Sequence, residues 1–185
     1  MNYQTDNTNP ASASPVKAFS LSFGLPPEAA VGTRIIRRTA VRAVVERDGS
    51  LLLVRNNRGD MKFPGGGLEE GESHEETLRR EVSEETGHIL SRVGRKLGTV
   101  TERYPDIRDP ESVFEMISHY YQCVIDSDKG PQRLDDYEAE MGFEPVWLPF
   151  TAAIETNRAL LEAQPENMNR WVTRETAVLE FLARL

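Results

Sequence analysis

Three glutamates, Glu81, Glu84 and Glu85, stand at i, i+3 and i+4 and project from one side of any helix that carries them. They close an acidic run with eight glutamates in the seventeen positions from Glu69 to Glu85. A run of this kind is ordinarily a solvated helix face, but its placement argues against that reading. Ser73 is followed three residues later by Glu76, the spacing of a capping box, and Gly87 supplies a left-handed stop. The three glutamates therefore crowd the C-terminal half of the helix. There they repel one another and meet the negative end of the helix dipole, where lysine or arginine would be favoured. A bound cation reverses both penalties. At about 100° per residue, Leu78 and Val82 set the core direction, and Glu85 and Glu81 lie about 20° and 60° to one side of Leu78. Carboxylates at the edge of a core are costly unless a metal compensates. Hard oxygen ligands suit Mg²⁺ or Mn²⁺. Upstream, Gly65-Gly66-Gly67 lets the backbone bend sharply and approach a ligand, and can offer a freed carbonyl, whereas a plain turn needs only one glycine.

The order Gly66, five residues, Glu72, seven residues, then Arg80-Glu81-Val82-Ser83-Glu84-Glu85-Thr86-Gly87 resembles the Nudix box of the MutT/Nudix family, running from Gly66 to His88. His88 departs from it, since the family usually has an aliphatic residue there. The resemblance extends more loosely from about Arg38 to Leu161. It implies an α+β fold in which a mixed β-sheet is sandwiched between helices (α/β/α), with the box as loop, helix and loop. It also implies that Glu81, Glu84 and Glu85 bind Mg²⁺ or Mn²⁺, joined by the Gly66 carbonyl, and that Glu72 pairs with Arg80 to hold the loop on the helix. The implied activity is hydrolysis of a phosphoanhydride bond in a nucleoside diphosphate linked to another moiety, as in a nucleotide pyrophosphatase. Metal ions would neutralise the pyrophosphate and acidify the attacking water. The base would be a carboxylate of the box helix, Glu84 or Glu85, or one from a later loop, where Glu138 and Glu140 rank ahead of Glu144. Arg55, Arg58 and Lys62 flank the glycine loop as candidate phosphate contacts, with a solvated loop as the alternative.

The resemblance leaves the substrate open. Tyr104, sixteen residues past His88, is reminiscent of dinucleoside polyphosphate hydrolases, and Pro105 of ADP-ribose pyrophosphatases. A nucleotide sensor on the same fold without turnover is the second reading and an isomerase a weaker third. The intact carboxylate set argues against a pure sensor. His74, His88 and His119 lack metal-ligand spacing, and His74 is expected as an exposed first-turn residue.

The elements that must hold these groups can be read from pattern. Arg37 to Glu46 and Leu51 to Val54 are strands of a hairpin turning at Asp48-Gly49. Ile89 to Arg103, irregular at Gly94 or Gly98, and Phe114 to Ile125 are longer strands, the second followed by a turn over Asp126 to Gly130. Pro145 to Leu148 is a last strand. Helices follow over Thr151 to Ala163 and Glu166 to Leu185. Residues 34–185 form one domain. Residues 18–33 are an extra edge strand or a dimer arm, on which a homodimer would be built. Residues 1–17, rich in Asn, Thr, Ser, Ala and Pro, read as a disordered tail. A net charge of −8 argues against a general binder of nucleic-acid polymers but not against a small nucleotide-type substrate. The single cysteine, Cys123, is expected as a buried thiol. No signal peptide and no apolar run of the ~18 residues a membrane span needs can be found, so the expected location is cytoplasmic. A chain starting at Ala18 should keep its melting temperature and activity, and loss of folding would show that the first seventeen residues pair with the sheet or with a second subunit.

Overall fold

The computed structural model describes residues 18–109 and 111–185, so the expected tail over residues 1–17 lies outside the described residues. Strands β1 (Phe19–Gly24), β2 (Arg34–Arg47), β3 (Ser50–Arg55) and β4 (Met61–Lys62) precede helix α1 (His74–Thr86). Then come β5 (His88–Pro105), β6 (Ser112–Lys129), the short helix α2 (Asp136–Glu140), β7 (Glu144–Pro149), α3 (Phe150–Ala163) and α4 (Trp171–Leu182). The seven strands form one mixed sheet in the order β1-β5-β6-β2-β3-β4, with β7 paired to β3. The central pairing is parallel, β2 on β6 from Arg34↔Ser112 to Val45↔Cys123.

Alternation along the strands sorts the apolar side chains into two layers. Val41, Ala43 and Val45 of β2 and Leu52 of β3 pack with Leu78 and Val82 of α1. Val44, Leu51 and Leu53 face the opposite way and pack with Ala153 of α3 and Val178 and Leu179 of α4. The result is the α/β/α sandwich. Asp48 and Gly49 both have positive φ (52° and 74°), the geometry of a tight hairpin turn between β2 and β3.

Three expectations are corrected, and one element is added. The segment 126–129 is not a turn: β6 runs on to Lys129, which pairs with His88. The last helix is shorter than Glu166 to Leu185, because Met168 N–H bonds back to Pro165 and Asn169 is drawn to Asp60. The segment after β6 holds a helix, α2, too short for periodicity to reveal. His74 is half-buried: its ring contacts the Tyr121 hydroxyl at 2.8 Å and stacks at 4.7 Å on His119 of β6. Residues 19–24, read as strand or arm, form the edge strand β1, parallel to β5. Among the described residues no helix is long and apolar enough to cross a membrane.

Buried polar groups fix the strand that leads into the glycine loop. Asn157 of α3 donates to Met61 O at 2.9 Å and accepts from Met61 N–H at 2.8 Å. Glu175 of α4 accepts from Phe63 N–H at 3.1 Å and from the Tyr120 hydroxyl at 3.3 Å. The fully buried Arg174 ties Glu175 to Glu102. The loop thus rests on α3 and α4 through directional bonds that an apolar contact could not replace.

The His74–His119 stack docks the start of α1 on the sheet, and it carries a pH dependence. Burial, with the Lys96 and His74 charges beside it, holds His119 down to about 4, and burial lowers His74 too. The unfolded chain takes up these protons near the usual pKa of about 6.5, whereas the folded chain resists until lower pH. Stability is therefore lost as pH falls from about 6.5 towards 4. Melts across this range should fall more steeply for the native chain than for His119→Gln, and parallel curves would show that the stack contributes nothing.

Candidate active site

Helix α1 begins and ends as its residues dictate. Ser73 accepts from Glu76 N–H while the Glu76 carboxylate accepts from Ser73 N–H, and Gly87 closes the helix at φ 73°. Leu78 and Val82 point into the core, and Glu81 and Glu85 beside them are 8% and 1% exposed. Glu84, on the flank, is only half-buried. Gly65 takes φ 136°, and a side chain there would strike the Val41 carbonyl. At Gly66 a Cβ would sit 2.3 Å from the Glu81 carboxylate, so a side chain there would displace that carboxylate from the loop. The loop is laced to β2 by Val41 N–H to Gly66 O (2.9 Å) and Ala43 N–H to Pro64 O (2.8 Å). The Gly66 carbonyl therefore has only its second lone pair to offer a metal.

Glu81, Glu85 and Glu138 each bring a carboxylate oxygen within 4.8 Å of the others. Glu138 comes from α2, where a second capping box with Asp135 fixes it: its Oε2 accepts from Asp135 N–H at 3.0 Å. Burial, followed by the nearby Glu85, pushes Glu138 up to about 7. Burial and the Glu85 charge also raise Glu81. Three hard oxygen donors converging at the cost of mutual repulsion fit a divalent cation such as Mg²⁺ or Mn²⁺.

Arg80 is fully engaged. Its guanidinium forks onto Glu72 (2.7 and 2.8 Å) and also reaches Glu81 (2.8 Å) and Glu84 (3.2 Å). That contact holds Glu72 down to about 2. Glu85 accepts from Lys62 Nζ at 2.5 Å and from Gly65 N–H at 2.8 Å.

The other sequence candidates lie apart. Glu140 is exposed on α2, two residues from Glu138 and so turned away from it. Arg55 pairs with Glu144 at 2.6 Å near the surface. Arg58 donates to Asn167 O and Asn169 Oδ1, bracing the loop that precedes α4. His88 does not disturb the helix exit: it opens β5, buried edge-on to Trp147.

Sequence reasoning missed the basic wall. Arg38, Arg42 and Arg174 line a cavity of about 290 Å³ together with Lys62, Glu81, Glu85 and Glu138. Arg42 bonds the Gly65 carbonyl while its Nε, buried, has no partner. The signal was present: Arg38, Ala40 and Arg42 share one face of β2 at period two, an odd place for two charges in an apolar strand. A second recess, of about 460 Å³, adjoins at Arg38 and is lined by Ile36, Tyr104, Phe114, Arg34, Arg108 and Arg170, with Arg170 5.0 Å from the Tyr104 ring centre.

Residues 36–172 match the family model of the NUDIX domain. An ADP-ribose pyrophosphatase of Methanocaldococcus jannaschii is 41% identical over 75 residues, 38% of this chain and 42% of that protein. A nucleoside triphosphatase NudI of Salmonella schwarzengrund is 45% identical over 60 residues, 29% of this chain and 43% of that protein. The matched segment thus spans less than half the length of these curated relatives. The solved structure of a NUDIX hydrolase from Nitrosomonas europaea superposes with a TM-score of 0.51 at 24% identity, covering 66% of this chain and 79% of that one.

The partners of the glutamates separate Glu84 from Glu85. By spacing alone, glutamine at either position should relieve repulsion in the helix. In the structure only Glu84 is free of a buried partner. Glu84→Gln should shift metal-free stability by no more than about 0.5 kcal/mol. Glu85→Gln leaves the buried Lys62 without its counter-charge and should cost about 1–3 kcal/mol. Metal-free melts of the two variants check this, and equal stability would mean that Lys62 and Glu85 are not paired.

Proposed function

The chain belongs to the NUDIX family, and from that premise we propose that it is a metal-dependent hydrolase that cleaves the phosphoanhydride bond of a nucleoside diphosphate linked to another moiety. The observation that carries this reading is the convergence of Glu81, Glu85 and Glu138 beside a basic wall. Glu81, Glu85 and Glu138 would hold Mg²⁺ or Mn²⁺, which when bound supplies charge neutralisation and a more acidic water. Glu84, tied to Arg80, lines an adjoining recess with Glu81 and Glu138 and is the further candidate ligand. The chain's own side chains do the rest. Arg42, with its unpartnered Nε, and Arg38 face the cavity as donors for phosphate oxygens. With Oε2 held by Asp135, Glu138 has Oε1 to offer either the metal or a water. Of the three late carboxylates, Glu138, Glu140 and Glu144, the convergence with Glu81 and Glu85 supports Glu138 as the base.

Arg38 lines both recesses, so a polyphosphate chain can run past it from the carboxylates to the second recess. That recess joins Tyr104, Phe114 and Ile36 to arginines. It suits a flat ring that stacks and an anionic group that pairs. Its volume is in the range of small-molecule sites. A nucleoside on the far side of the scissile bond fits this combination better than a bare phosphate. The same chemistry is consistent with the diphosphate-linked nucleotide named for the Methanocaldococcus relative.

A substrate panel with Mg²⁺ tests the proposal. It should span nucleoside triphosphates, nucleoside diphosphate sugars and dinucleoside polyphosphates, with release of nucleoside monophosphate or phosphate as the readout. Turnover should vanish in excess chelator and fall by orders of magnitude in Glu81→Gln and Glu85→Gln. Nucleotide binding with no turnover on any substrate would instead favour the sensor, and full turnover in chelator would exclude the metal.

A further inference from the structure

Glu85 is the most enclosed of the three converging carboxylates, and both its oxygens already have partners. Oε1 accepts from the Lys62 ammonium at 2.5 Å and Oε2 from Gly65 N–H at 2.8 Å. Lys62 is itself buried, 8% exposed, with its ammonium 4.5 Å from the centre of the Phe143 ring, over the ring face. The other cations nearby are directed elsewhere. Arg80 bonds Glu72, Glu81 and Glu84, and Arg42 bonds the Gly65 carbonyl. Lys62 alone among the described cations touches Glu85.

An ammonium is a compact, strongly hydrated charge, and burying it is costly unless a carboxylate answers it. Here that carboxylate belongs to the candidate metal cluster. Lys62 lies on the strand end that feeds the glycine loop, so its reach to Glu85 is set by the backbone and not by a mobile surface loop. It neutralises Glu85 and occupies Oε1, whereas Glu81, bonded to Arg80 through Oε1, and Glu138, bonded to Asp135 through Oε2, each keep one oxygen for a divalent ion. A second ion bound at Glu85 would have to share Oε1 with the ammonium, where like charges repel strongly in a water-poor site, or displace the Gly65 N–H from Oε2.

Resting on the metal-dependent reading above, we propose that Lys62 is a resident cation of the carboxylate cluster, occupying at Glu85 the place of a divalent ion, so that the substrate-free protein binds one divalent ion through Glu81 and Glu138. Polyphosphate oxygens entering the cavity offer Lys62 another anionic partner. Its release from Glu85 then opens the second position only when substrate is present. Lys62 is a positioning residue in this scheme: it governs how many ions the cluster holds and when.

The test is a Mn²⁺ titration of the full chain without substrate, read by calorimetry and by the electron paramagnetic resonance signal of unbound Mn²⁺. It compares the native protein with Lys62→Met and with Lys62→Gln, which keeps a hydrogen-bond donor to Glu85 should the methionine variant fold poorly. The native protein should bind one ion per chain. The variants should bind a second ion, or bind the first about tenfold more tightly. Melts should show the variants gaining more from Mn²⁺ than the native chain does, which a merely structural lysine would not produce. Two ions on the substrate-free native protein, or identical count and affinity in native and variants, would overturn the inference and leave the metal-dependent reading intact. If no form binds Mn²⁺, the metal reading itself fails and the inference falls with it.

Discussion

Glu85 connects the two segments from which the site is made. Its side chain leaves the last turn of α1 and ends on the Gly65 N–H and the Lys62 ammonium, both on the stretch that enters the glycine loop. Without that link the loop would lose its tie to the last turn of α1 and keep its bonds to β2, the Arg80 contact with the Gly67 carbonyl and the support of α3 and α4 beneath it. The carboxylate that looks, by residue type, like a simple ligand is thus also the strut that sets the distance between loop and helix. A cavity in which one group both sets the spacing and faces the interior is sensitive to small changes, since about half an ångström of drift alters both.

The support under that strut is polar and buried. Phe63 N–H is fixed by Glu175, Met61 by Asn157, and Glu175 is in turn held by Arg174 and Tyr120. Each bond is directional, so together they dictate where the backbone turns into Gly65. Hydrophobic packing of Phe63 and Leu53 against α3 and α4 supplies adhesion but not register. Asp60 does the same for the preceding loop, accepting from Asn56, Asn169 and Trp171. Arg58, a phosphate candidate from its position in the chain, belongs to this scaffold.

Local chemistry was legible in the sequence and long-range assembly was not. The capping box, the Gly87 stop, the hairpin at Asp48-Gly49 and the direction of Glu81 and Glu85 relative to Leu78 follow from residues within a turn or two of each other. The Glu72–Arg80 pair was legible only through resemblance to a family. Lys62 on Glu85 spans 23 residues, and Arg174 on Glu102 spans 72. No period records such pairings. The parallel match of β2 with β6 brings Arg38 beside Met116, and nothing in either strand alone announces it. Choosing between Glu138 and Glu140 required knowing that residues 136–140 are helical, which turns the two side chains apart. A five-residue helix leaves too few positions for a pattern to appear.

The cations around the cavity are sorted by how completely the fold has satisfied them. Arg174 is saturated by Glu102 and Glu175, and Arg80 by Glu72, Glu81 and Glu84. Arg55 answers Glu144. A guanidinium so bonded contributes field to the cavity but has little left to donate. Arg42 keeps one buried N–H without a partner, and Arg38, exposed beside Gly67, makes no side-chain hydrogen bond to another described residue. A buried unpartnered donor costs about 1–3 kcal/mol, a penalty that is removed when an anion accepts from it. The groups left unsatisfied by folding are therefore those that gain most from a ligand. Arg42 and Arg38 line the cavity with the carboxylates, and Arg38 also lines the second recess. Under the proposed function that ordering, more than the number of positive charges, would place the scissile phosphates at the carboxylate end and the ring-bearing moiety at the other.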